Sequence, residues 1–389
     1  MIWKIYFLIN GIVILSYIWY RMILLFITET FEKSYPLFKE PFSVVIPVYN
    51  ENEKDLKECI KSVYLARGEK EIIIVDDGST KEETINFLKK LEKNIKLIEN
   101  LKCPIKIFYL EKNMGKRSAH KKGFLNARYD IIAVVDSDTL VREDSFINLL
   151  KPFNNREVGA TTGDIRPINE NENLTTKVQG AKYWTGLNID RKSQSYWGIV
   201  TCCSGALSAY RKELVIKHLE EYINQTFLGE KCNSGDDRYL TNLILKDWKV
   251  KYAEDAIAYT RVPNTFKKWT KQSLRWKRSF IRESFICLRN SAGKKNLLFF
   301  ETLLNLVLPI LFVGIRIAFV ISIILYPIFI LLTLPVMIFA TLVRNAPMFF
   351  ESPKRIFYSF VYAIYYNFIF YWLYFVALFT FKNTKWLTR

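Results

Sequence analysis

The chain has 389 residues, of which 50% are hydrophobic and 24% are charged, and its formal net charge is +18. This composition is too apolar for an evenly solvated enzyme and too polar for a bundle made only of membrane helices, so the apolar residues must be concentrated in segments. The composition therefore predicts one soluble part and one membrane part.

The first apolar segment lies at the amino terminus. Residues 3–28 read WKIYFLINGIVILSYIWYRMILLFIT, and about 20 apolar residues are enough to cross a bilayer. The segment lacks the small-residue cleavage site of a signal peptide. We therefore predict a transmembrane anchor over residues 1–30, with an uncleaved signal sequence that does not anchor the chain as the alternative.

Residues 40–260 have the pattern of a soluble α/β domain. Strands are predicted at 42–48, 71–75, 105–110 and 130–136, and helices at 53–66, 81–93 and 116–127. This alternation predicts parallel strands in a doubly wound sheet with helices on both faces. Ligands of such sheets bind beyond the carboxyl ends of the strands, so the residues that follow each strand are the first to consider.

Polar residues follow every predicted strand. They read YNEN at 49–52, DDGST at 76–80, EKNMGKRSAH at 111–120 and DSD at 136–138. Asp136 and Asp138 flank one serine, so their carboxylates can share a hard divalent cation such as Mg²⁺ or Mn²⁺. Lys116 follows Gly115 at a predicted helix start, where backbone N–H groups and an ammonium group suit a phosphate. A D-x-D motif alone is more often a solvated turn or cap, and the shared sheet edge favours the metal site.

Two further features of this edge have two interpretations each. Asp76 and Asp77 form a turn before a helix cap, yet a carboxylate here could also accept a hydrogen bond from a base or ribose. Tyr49 offers a face for stacking, although a tyrosine at a strand end is more often a packing residue. The sequence leaves these alternatives open.

A strongly basic segment precedes the second apolar region. Residues 261–282 contain eight basic residues and no acidic one. Such a segment suits an anionic inner leaflet, and it places its flank on the cytoplasmic side. A nucleic acid is the competing partner, and the membrane anchor argues against it. We predict amphipathic interfacial helices over 261–295 and a C-terminal transmembrane region over 296–389, and the six cysteines should be reduced thiols in a cytoplasmic domain.

Several motifs together resemble the processive membrane glycosyltransferases of family 2, and the hyaluronan synthases most of all. They are DDGS, DSD, TTGDIRPIN, SGALSAYR, YINQTFLG, GDDRYLTN and QSLRWKRSFIRE, with LVRNAPMFFESP and LFTFKNTKWLTR near the carboxyl terminus. The resemblance covers nearly the whole chain and is most specific over residues 202–283. It implies a GT-A-like (Rossmann-like) α/β cytoplasmic domain, with α-helical transmembrane and interfacial helices.

The resemblance also implies roles for matching residues. Asp237 would be the general base that takes the proton from the acceptor hydroxyl, and Asp136 and Asp138 would hold Mg²⁺ or Mn²⁺ with the diphosphate. The residues assigned to the UDP-sugar are Tyr49, Glu51, Asp77, Lys116, Asp136, Asp138, Gln272 and Arg275. The residues assigned to the acceptor are Ser204, Gly205, Asp236 and Trp276. The QSLRW segment can at the same time belong to a basic helix that lies on the membrane.

Two polymers fit this resemblance. The first choice is hyaluronan from UDP-GlcNAc and UDP-GlcA, and the second is a chitin-like polymer or oligomer from UDP-GlcNAc alone. In either case we expect an integral protein of the plasma membrane that contacts lipids and passes a nascent polysaccharide through the membrane. An inactive scaffold of polysaccharide export, which would not need this set of carboxylates, and a lipid-phosphate glycosyltransferase are the remaining alternatives.

The chain also departs from the family pattern. It has one amino-terminal membrane segment where the bacterial hyaluronan synthases have two, and GDDR where the chitin oligosaccharide synthases usually have GEDR. Ala206 replaces a proline, and WLTR at 386–389 replaces W-G-T-R, a segment associated with gating. The segment 356–381 is long enough to cross the membrane once, which would leave WLTR outside, or it is re-entrant or interfacial or forms a short hairpin.

Overall fold

The computed structural model describes residues 2–32, 34–96, 103–311, 317, 321, 324–326 and 328–384. These residues form two compact units. The first, here the α/β unit, comprises Lys33–Ile168 and Trp197–Arg261. The second, here the helical unit, comprises Met1–Glu32, Asn169–Tyr196 and Val262–Arg389.

The α/β unit is organised around one mixed sheet. The strands are β1 (Phe42–Val48), β2 (Lys70–Asp76), β3 (Ile105–Tyr109), β4 (Ile131–Val134), β5 (Thr139–Val141), β6 (Val158–Pro167), β7 (Ser208–Arg211), β8 (Thr226–Phe227), β9 (Glu230–Lys231) and β10 (Lys249–Thr260). Their order in the main sheet is β3-β2-β1-β4-β7-β6-β10-β5, and β8 pairs with β9 in a separate ribbon.

The parallel half of the sheet agrees with the sequence. Strand β1 runs parallel to β2 and β4, and β2 runs parallel to β3. Strands β1 and β2 are buried along their whole length, which explains their continuous apolar runs. The other half was not predicted: β7 runs antiparallel to both β4 and β6, and β5 runs antiparallel to β10. The fold is therefore a mixed sheet rather than a uniformly parallel one.

The helices alternate with these strands in the first half of the α/β unit and form most of the helical unit. They are α1 (Ile2–Phe31), α2 (Glu53–Leu65), α3 (Glu82–Lys96), α4 (Lys116–Asn126), α5 (Ser145–Leu150), α6 (Leu174–Trp184), α7 (Lys192–Ser195), α8 (Lys212–Lys217), α9 (Leu219–Ile223), α10 (Asp236–Leu245), α11 (Phe266–Ser291), α12 (Asn296–Leu311), α13 (Phe329–Arg344), α14 (Ala346–Glu351), α15 (Pro353–Tyr365) and α16 (Trp372–Thr380). Short irregular helices cover Lys151–Asn154, Thr185–Arg191 and Tyr366–Phe370.

Two local features place helices against the sheet. The Asn52 side chain accepts a hydrogen bond from the backbone N–H of Lys54 at 2.9 Å, which caps the start of α2 directly after β1. On α4, a Cβ at Gly123 would lie 2.4 Å from a methyl carbon of Val45. Glycine therefore lets α4 pack closely on β1, and this packing brings the start of α4 to the carboxyl edge of the sheet.

The helical unit contains the apolar segments. Among the described residues, one helix is long and apolar enough to cross a membrane, Gly11–Phe31 within α1. Pro353–Phe370 and Trp372–Thr380 meet the same test only as a pair, and they are bent by 44°. Helix α1 carries one buried ion pair, because Arg21 Nη2 lies 2.7 Å from Glu301 Oε2 on α12. The WLTR segment, 386–389, lies outside the described residues.

Candidate active site

The polar ends of three neighbouring strands meet at one edge of the sheet. Strands β2, β1 and β4 are adjacent and parallel, so the residues after each strand lie side by side. Here the Ser137 hydroxyl donates a hydrogen bond to Glu51 Oε2 at 2.8 Å, which links the turn after β4 to the turn after β1. The half-buried Tyr49 begins the turn after β1.

Lys116 connects the D-x-D turn to the start of α10. Its Nζ lies 2.5 Å from Asp136 Oδ1 and 3.6 Å from Asp236 Oδ2. Burial alone would lower the pKa of Lys116, but Asp136 and then Asp236 outweigh burial and raise it. The lysine is therefore charged at neutral pH and is shared by two carboxylates that lie 100 residues apart in the sequence.

Gly205 lies directly against this ion pair. A Cβ built on Gly205 would be 2.7 Å from Lys116 Nζ, and 3.2 and 3.3 Å from the two carboxylate oxygens of Asp136. The φ of Gly205 is not in the left-handed region. The glycine is needed here because of the close approach and not because of the backbone conformation.

Asp138 is surrounded by other carboxylates, which disfavour its ionised form. Burial raises the pKa of Asp138 to about 7, with further contributions from the neighbouring carboxylates of Asp136 and Glu51. Its Oδ1 lies 3.4 Å from the hydroxyls of Thr139 and Thr260. The site thus holds several carboxylate oxygens whose repulsion a cation would relieve.

The DDGS turn fixes the loop that precedes Lys116. Asp76 Oδ1 accepts a hydrogen bond from the Ser79 hydroxyl at 2.5 Å, and Asp77 Oδ1 accepts one from the Met114 backbone N–H at 2.9 Å. Gly78 has a φ of 66°, and a Cβ there would lie 2.3 Å from the Lys112 carbonyl carbon. Asp76 therefore closes the turn, and Asp77 binds the backbone of the loop that ends at Gly115, directly before Lys116.

The GDDR segment begins α10 with two carboxylates in different environments. Gly235 adopts a left-handed φ of 82° and starts the helix. Asp236 is buried; burial alone would raise its pKa, but Lys116, then His120 and Arg117, lower it to about 2. Asp237 is half-buried, and burial and then the charge of Asp236 raise its pKa. One carboxylate is thus held ionised, while its neighbour binds a proton more readily.

Asp237 lies at the first turn of α10, where it contacts its own helix and Cys202, which precedes the SGAL segment. Its Oδ1 accepts a hydrogen bond from the Arg238 backbone N–H at 2.7 Å, and Cys202 Sγ lies 3.7 Å from Oδ2. The Ser204 backbone N–H donates to Thr162 Oγ1 on β6 at 3.0 Å. A carboxylate with a raised pKa in this position is suited to accept a proton from a hydroxyl.

The QSLRW segment lies on α11 in the helical unit and is described within that unit. Arg275 and Trp276 lie three and four residues after Gln272, which places each of them next to Gln272 on the helix surface. The Lys182 ammonium lies 4.9 Å from the centre of the Trp276 ring, and the Tyr183 ring meets the same tryptophan edge-on at 6.3 Å. The tryptophan is thus flanked by a cation and a second aromatic ring.

The structure adds residues that the sequence reasoning did not select. Arg117 Nη1 donates to the Tyr222 backbone oxygen at 2.8 Å, and Nη2 donates to Gln225 Oε1 at 2.5 Å, so it joins α4 to the NQTF segment. The signal was available, because Arg117 follows Lys116 at the start of α4. Thr162 lies in the TTGDIRPIN motif, to which no site role was given, whereas Thr260 gave no local signal and approaches the site only through the strand order.

Comparison with known proteins agrees with this architecture. The model of the Glycosyl transferase family 2 domain matches residues 43–219. A hyaluronan synthase of Streptococcus pyogenes serotype M3 is 32% identical over 386 residues, which cover 98% of this chain and 90% of that protein. An N-acetylglucosaminyltransferase of Azorhizobium caulinodans is 34% identical over 258 residues, or 65% of this chain and 62% of that protein.

A solved structure identifies the fold class. The mannosyltransferase PcManGT from Pyrobaculum calidifontis superposes with a TM-score of 0.61 at 16% identity, over 92% of this chain and 98% of that chain. The fold is therefore GT-A-like. The family model and the hyaluronan synthase relative show that the protein is a glycosyltransferase. The chain belongs to glycosyl transferase family 2, and its full-length relatives include hyaluronan synthase.

Proposed function

We propose that the protein is a processive, inverting synthase that builds hyaluronan from UDP-GlcNAc and UDP-GlcA and passes the polymer through the membrane. The observation that carries this proposal is the 32% identity to a protein named hyaluronan synthase over 98% of the chain. The match covers the predicted membrane segments as well as the α/β unit, so it supports the proposal over nearly the whole chain.

The two carboxylates of GDDR have separate roles in this proposal. Asp237 accepts the proton of the acceptor hydroxyl as that oxygen attacks the anomeric carbon, and its raised pKa suits this task. Asp236 stays ionised and pairs with Lys116, 3.6 Å away. The pairing positions Lys116 at the sheet edge, where its charge meets the donor diphosphate.

The D-x-D carboxylates fit a divalent cation. Asp136 and Asp138 offer oxygen ligands, which Mg²⁺ and Mn²⁺ prefer, and these ions commonly complete their coordination with phosphate oxygens and water. Among the described residues, no group of three or more acidic, histidine or cysteine side chains forms a complete protein cage. A bound ion would neutralise charge on the leaving diphosphate. The mannosyltransferase relative was solved with Mn²⁺, which agrees with this assignment.

The remaining donor and acceptor residues are assigned by the family motifs. Tyr49, Glu51 and Asp77 belong to the donor side, since they follow β1 and β2 at the sheet edge. Gln272 and Arg275 would bind the diphosphate, where the guanidinium can form two parallel hydrogen bonds. The acceptor side would comprise Ser204, Gly205 and Trp276, with Asp236 beside the base.

A membrane location is part of the proposal. The Gly11–Phe31 segment has the length and composition of a span. Its buried Arg21 is paired with Glu301 and also donates to Asn305 Oδ1 at 3.3 Å and to Ser193 Oγ at 3.3 Å. Charged groups inside a membrane are found in this paired state. The catalytic domain would then face the cytoplasm, where UDP-sugars are available.

A second candidate is a chitin-type product made from UDP-GlcNAc alone. The 34% identity to an N-acetylglucosaminyltransferase over 258 residues favours it. That match covers 65% of the chain, whereas the hyaluronan synthase match covers 98%. The longer match decides the order of the two proposals.

Product analysis tests the proposal. The purified protein in nanodiscs with Mg²⁺ or Mn²⁺ receives radiolabelled UDP-GlcNAc, with and without UDP-GlcA, and the product is sized and digested. A large product that needs both donors and is cut by hyaluronidase is expected. A product made from UDP-GlcNAc alone and cut by chitinase would replace the first proposal by the second. The absence of any transfer would contradict both.

A further inference from the structure

Two lysines beside Trp276 lie near each other without a carboxylate partner. Lys182 on α6 and Lys277 on α11 are both half-buried, and each is in the electrostatic range of the other. Among the residues that the structure describes, no carboxylate lies within ion-pair distance of either ammonium group. Both ammonium groups lie over aromatic rings instead.

The geometry of these rings defines a small basic and aromatic cluster. Lys182 Nζ lies 4.9 Å from the centre of the Trp276 ring and 5.9 Å from that of Trp269. Lys277 Nζ lies 5.5 Å from the ring centre of Tyr366 and 5.8 Å from that of Tyr374. Cation–π contacts are weak attractions, so they do not replace a counter-ion for two neighbouring ammonium groups.

The pKa values of both lysines are lowered, which is the shift expected of buried ammonium groups that lack a negative partner. Burial, and then Lys277, lowers the pKa of Lys182 to about 7, and burial lowers the pKa of Lys277 to about 8. In a buried ion pair, a carboxylate would raise both values. A buried lysine without a counter-ion gives up its proton more readily, and a bound anion would favour the charged form of both lysines.

We propose that Lys182 and Lys277 bind the carboxylate of a uronic acid residue in the acceptor polysaccharide, beside the aromatic face of Trp276. A sugar chain presents apolar ring faces and, where uronic acid and amino sugar residues alternate, a carboxylate on every second residue. Trp276 suits the first, and the two ammonium groups suit the second. This inference rests on the proposed function, because it assumes an acidic polymer.

A polysaccharide fits the cluster better than a lipid phosphate does. The basic residues that would meet lipid head groups are exposed along α11, as Lys267, Lys268 and Lys271 are. Lys182 and Lys277 are less exposed and are enclosed by aromatic rings, which are the side chains that stack on sugars. The cluster therefore provides a means of distinguishing an acidic polymer from a neutral one.

The test compares two octasaccharides that differ only at the carboxyl groups of their uronic acid residues. The full-length protein in nanodiscs is titrated with a hyaluronan octasaccharide and with the same octasaccharide after reduction of its carboxyl groups to alcohols. The wild type should bind the acidic form about tenfold more tightly or better, since a charge-assisted hydrogen bond contributes about 1.5–3 kcal/mol. Equal affinities would overturn the inference without any variant.

Substitutions then assign the effect to the two lysines. Lys182→Met and Lys277→Met should each remove most of the preference for the acidic form and leave the affinity for the reduced form unchanged. Lys182→Arg should keep the preference, and Lys271→Met, which removes one exposed charge from α11, is the matched control. An unchanged preference in both methionine variants would overturn the assignment, and so would an effect that follows the anionic lipid content of the nanodisc.

The two proposals fail in different assays. If the wild type makes no polymer that depends on both donors, the proposed function fails. If it binds the acidic and the reduced octasaccharide equally, the carboxylate site fails, whatever the enzyme synthesises. The binding measurement needs no UDP-sugar and no turnover, so the two results are independent.

Discussion

Replacing Gly205 by alanine should damage catalysis much more than stability. The added Cβ would lie 2.7 Å from Lys116 Nζ, so the ammonium group must move by about 0.7 Å to reach an ordinary contact distance. The backbone at Gly205 has no left-handed φ, and the atom that must move is the free end of a flexible side chain. The expected loss of unfolding free energy is therefore below about 1 kcal/mol.

The catalytic cost follows from what the lysine touches. Its Nζ is 2.5 Å from Asp136 and 3.6 Å from Asp236, so a displacement changes both the carboxylate that we propose as a metal ligand and the segment that carries the proposed base. A misplacement of about 1 Å can cost on the order of 100-fold in rate. We expect kcat/KM to fall about 10- to 100-fold, which is about 1.4–2.7 kcal/mol of transition-state stabilisation.

The assay compares sugar transfer with thermal unfolding in the same nanodisc preparation. Gly186→Ala is the matched control, because a Cβ there meets no atom within 4 Å and its φ is not left-handed. The control should keep both its activity and its melting temperature. Full activity in Gly205→Ala would refute the close-approach argument. A large fall in its melting temperature would refute the claim that only the ion pair is disturbed.

Four further outcomes are expected. Asp237→Asn should abolish transfer and keep UDP-sugar affinity within about twofold, because the amide cannot accept the proton; normal turnover would reject the base. The pH–rate profile should lose activity on the acid side at a higher pH than an aspartate of pKa about 3.9 would give, since only ionised Asp237 is active and its pKa is raised; a fall confined to pH 4 or below would contradict this. Chelation by EDTA should stop transfer and added Mg²⁺ or Mn²⁺ should restore it, whereas undiminished metal-free activity would remove Asp136 and Asp138 from the metal role. Gly78→Ala should lower the unfolding free energy by at least about 1 kcal/mol from its φ of 66° alone, measured by thermal unfolding, and an unchanged melting temperature would contradict it.

The half of the site built from strand ends could be predicted from sequence. Parallel strands separated by helices bring their carboxyl ends to one edge, and this rule alone placed Glu51, Asp77 and Asp136 together. The hydrophobic runs of β1 and β2 gave a clear signal because both strands are buried on both faces. Local pattern and topology agree in this part of the chain.

The other half depended on contacts that no local pattern encodes. Strand β7 enters the sheet antiparallel between β4 and β6, and its short run SAYR does not distinguish it from a loop or an edge strand. The pairing of Lys116 with Asp236 joins residues 120 positions apart. The family motifs marked both residues for a site, but the ion pair between them depends on the approach of the first residues of α4 and α10 in the folded unit.

The ion pairs at this edge imply that donor and metal bind together. In the α/β unit, Lys116 offsets the negative charge of Asp136 and Asp236. A donor diphosphate that draws this ammonium group away leaves both carboxylates facing additional negative charge, and their repulsion opposes donor binding. A divalent cation at Asp136 and Asp138 would remove that repulsion and attract the diphosphate. Because coupling between two ligands is reciprocal, donor should tighten the metal by the same factor by which the metal tightens donor. The shared lysine is therefore the physical reason to expect a metal requirement, beyond the presence of a D-x-D motif.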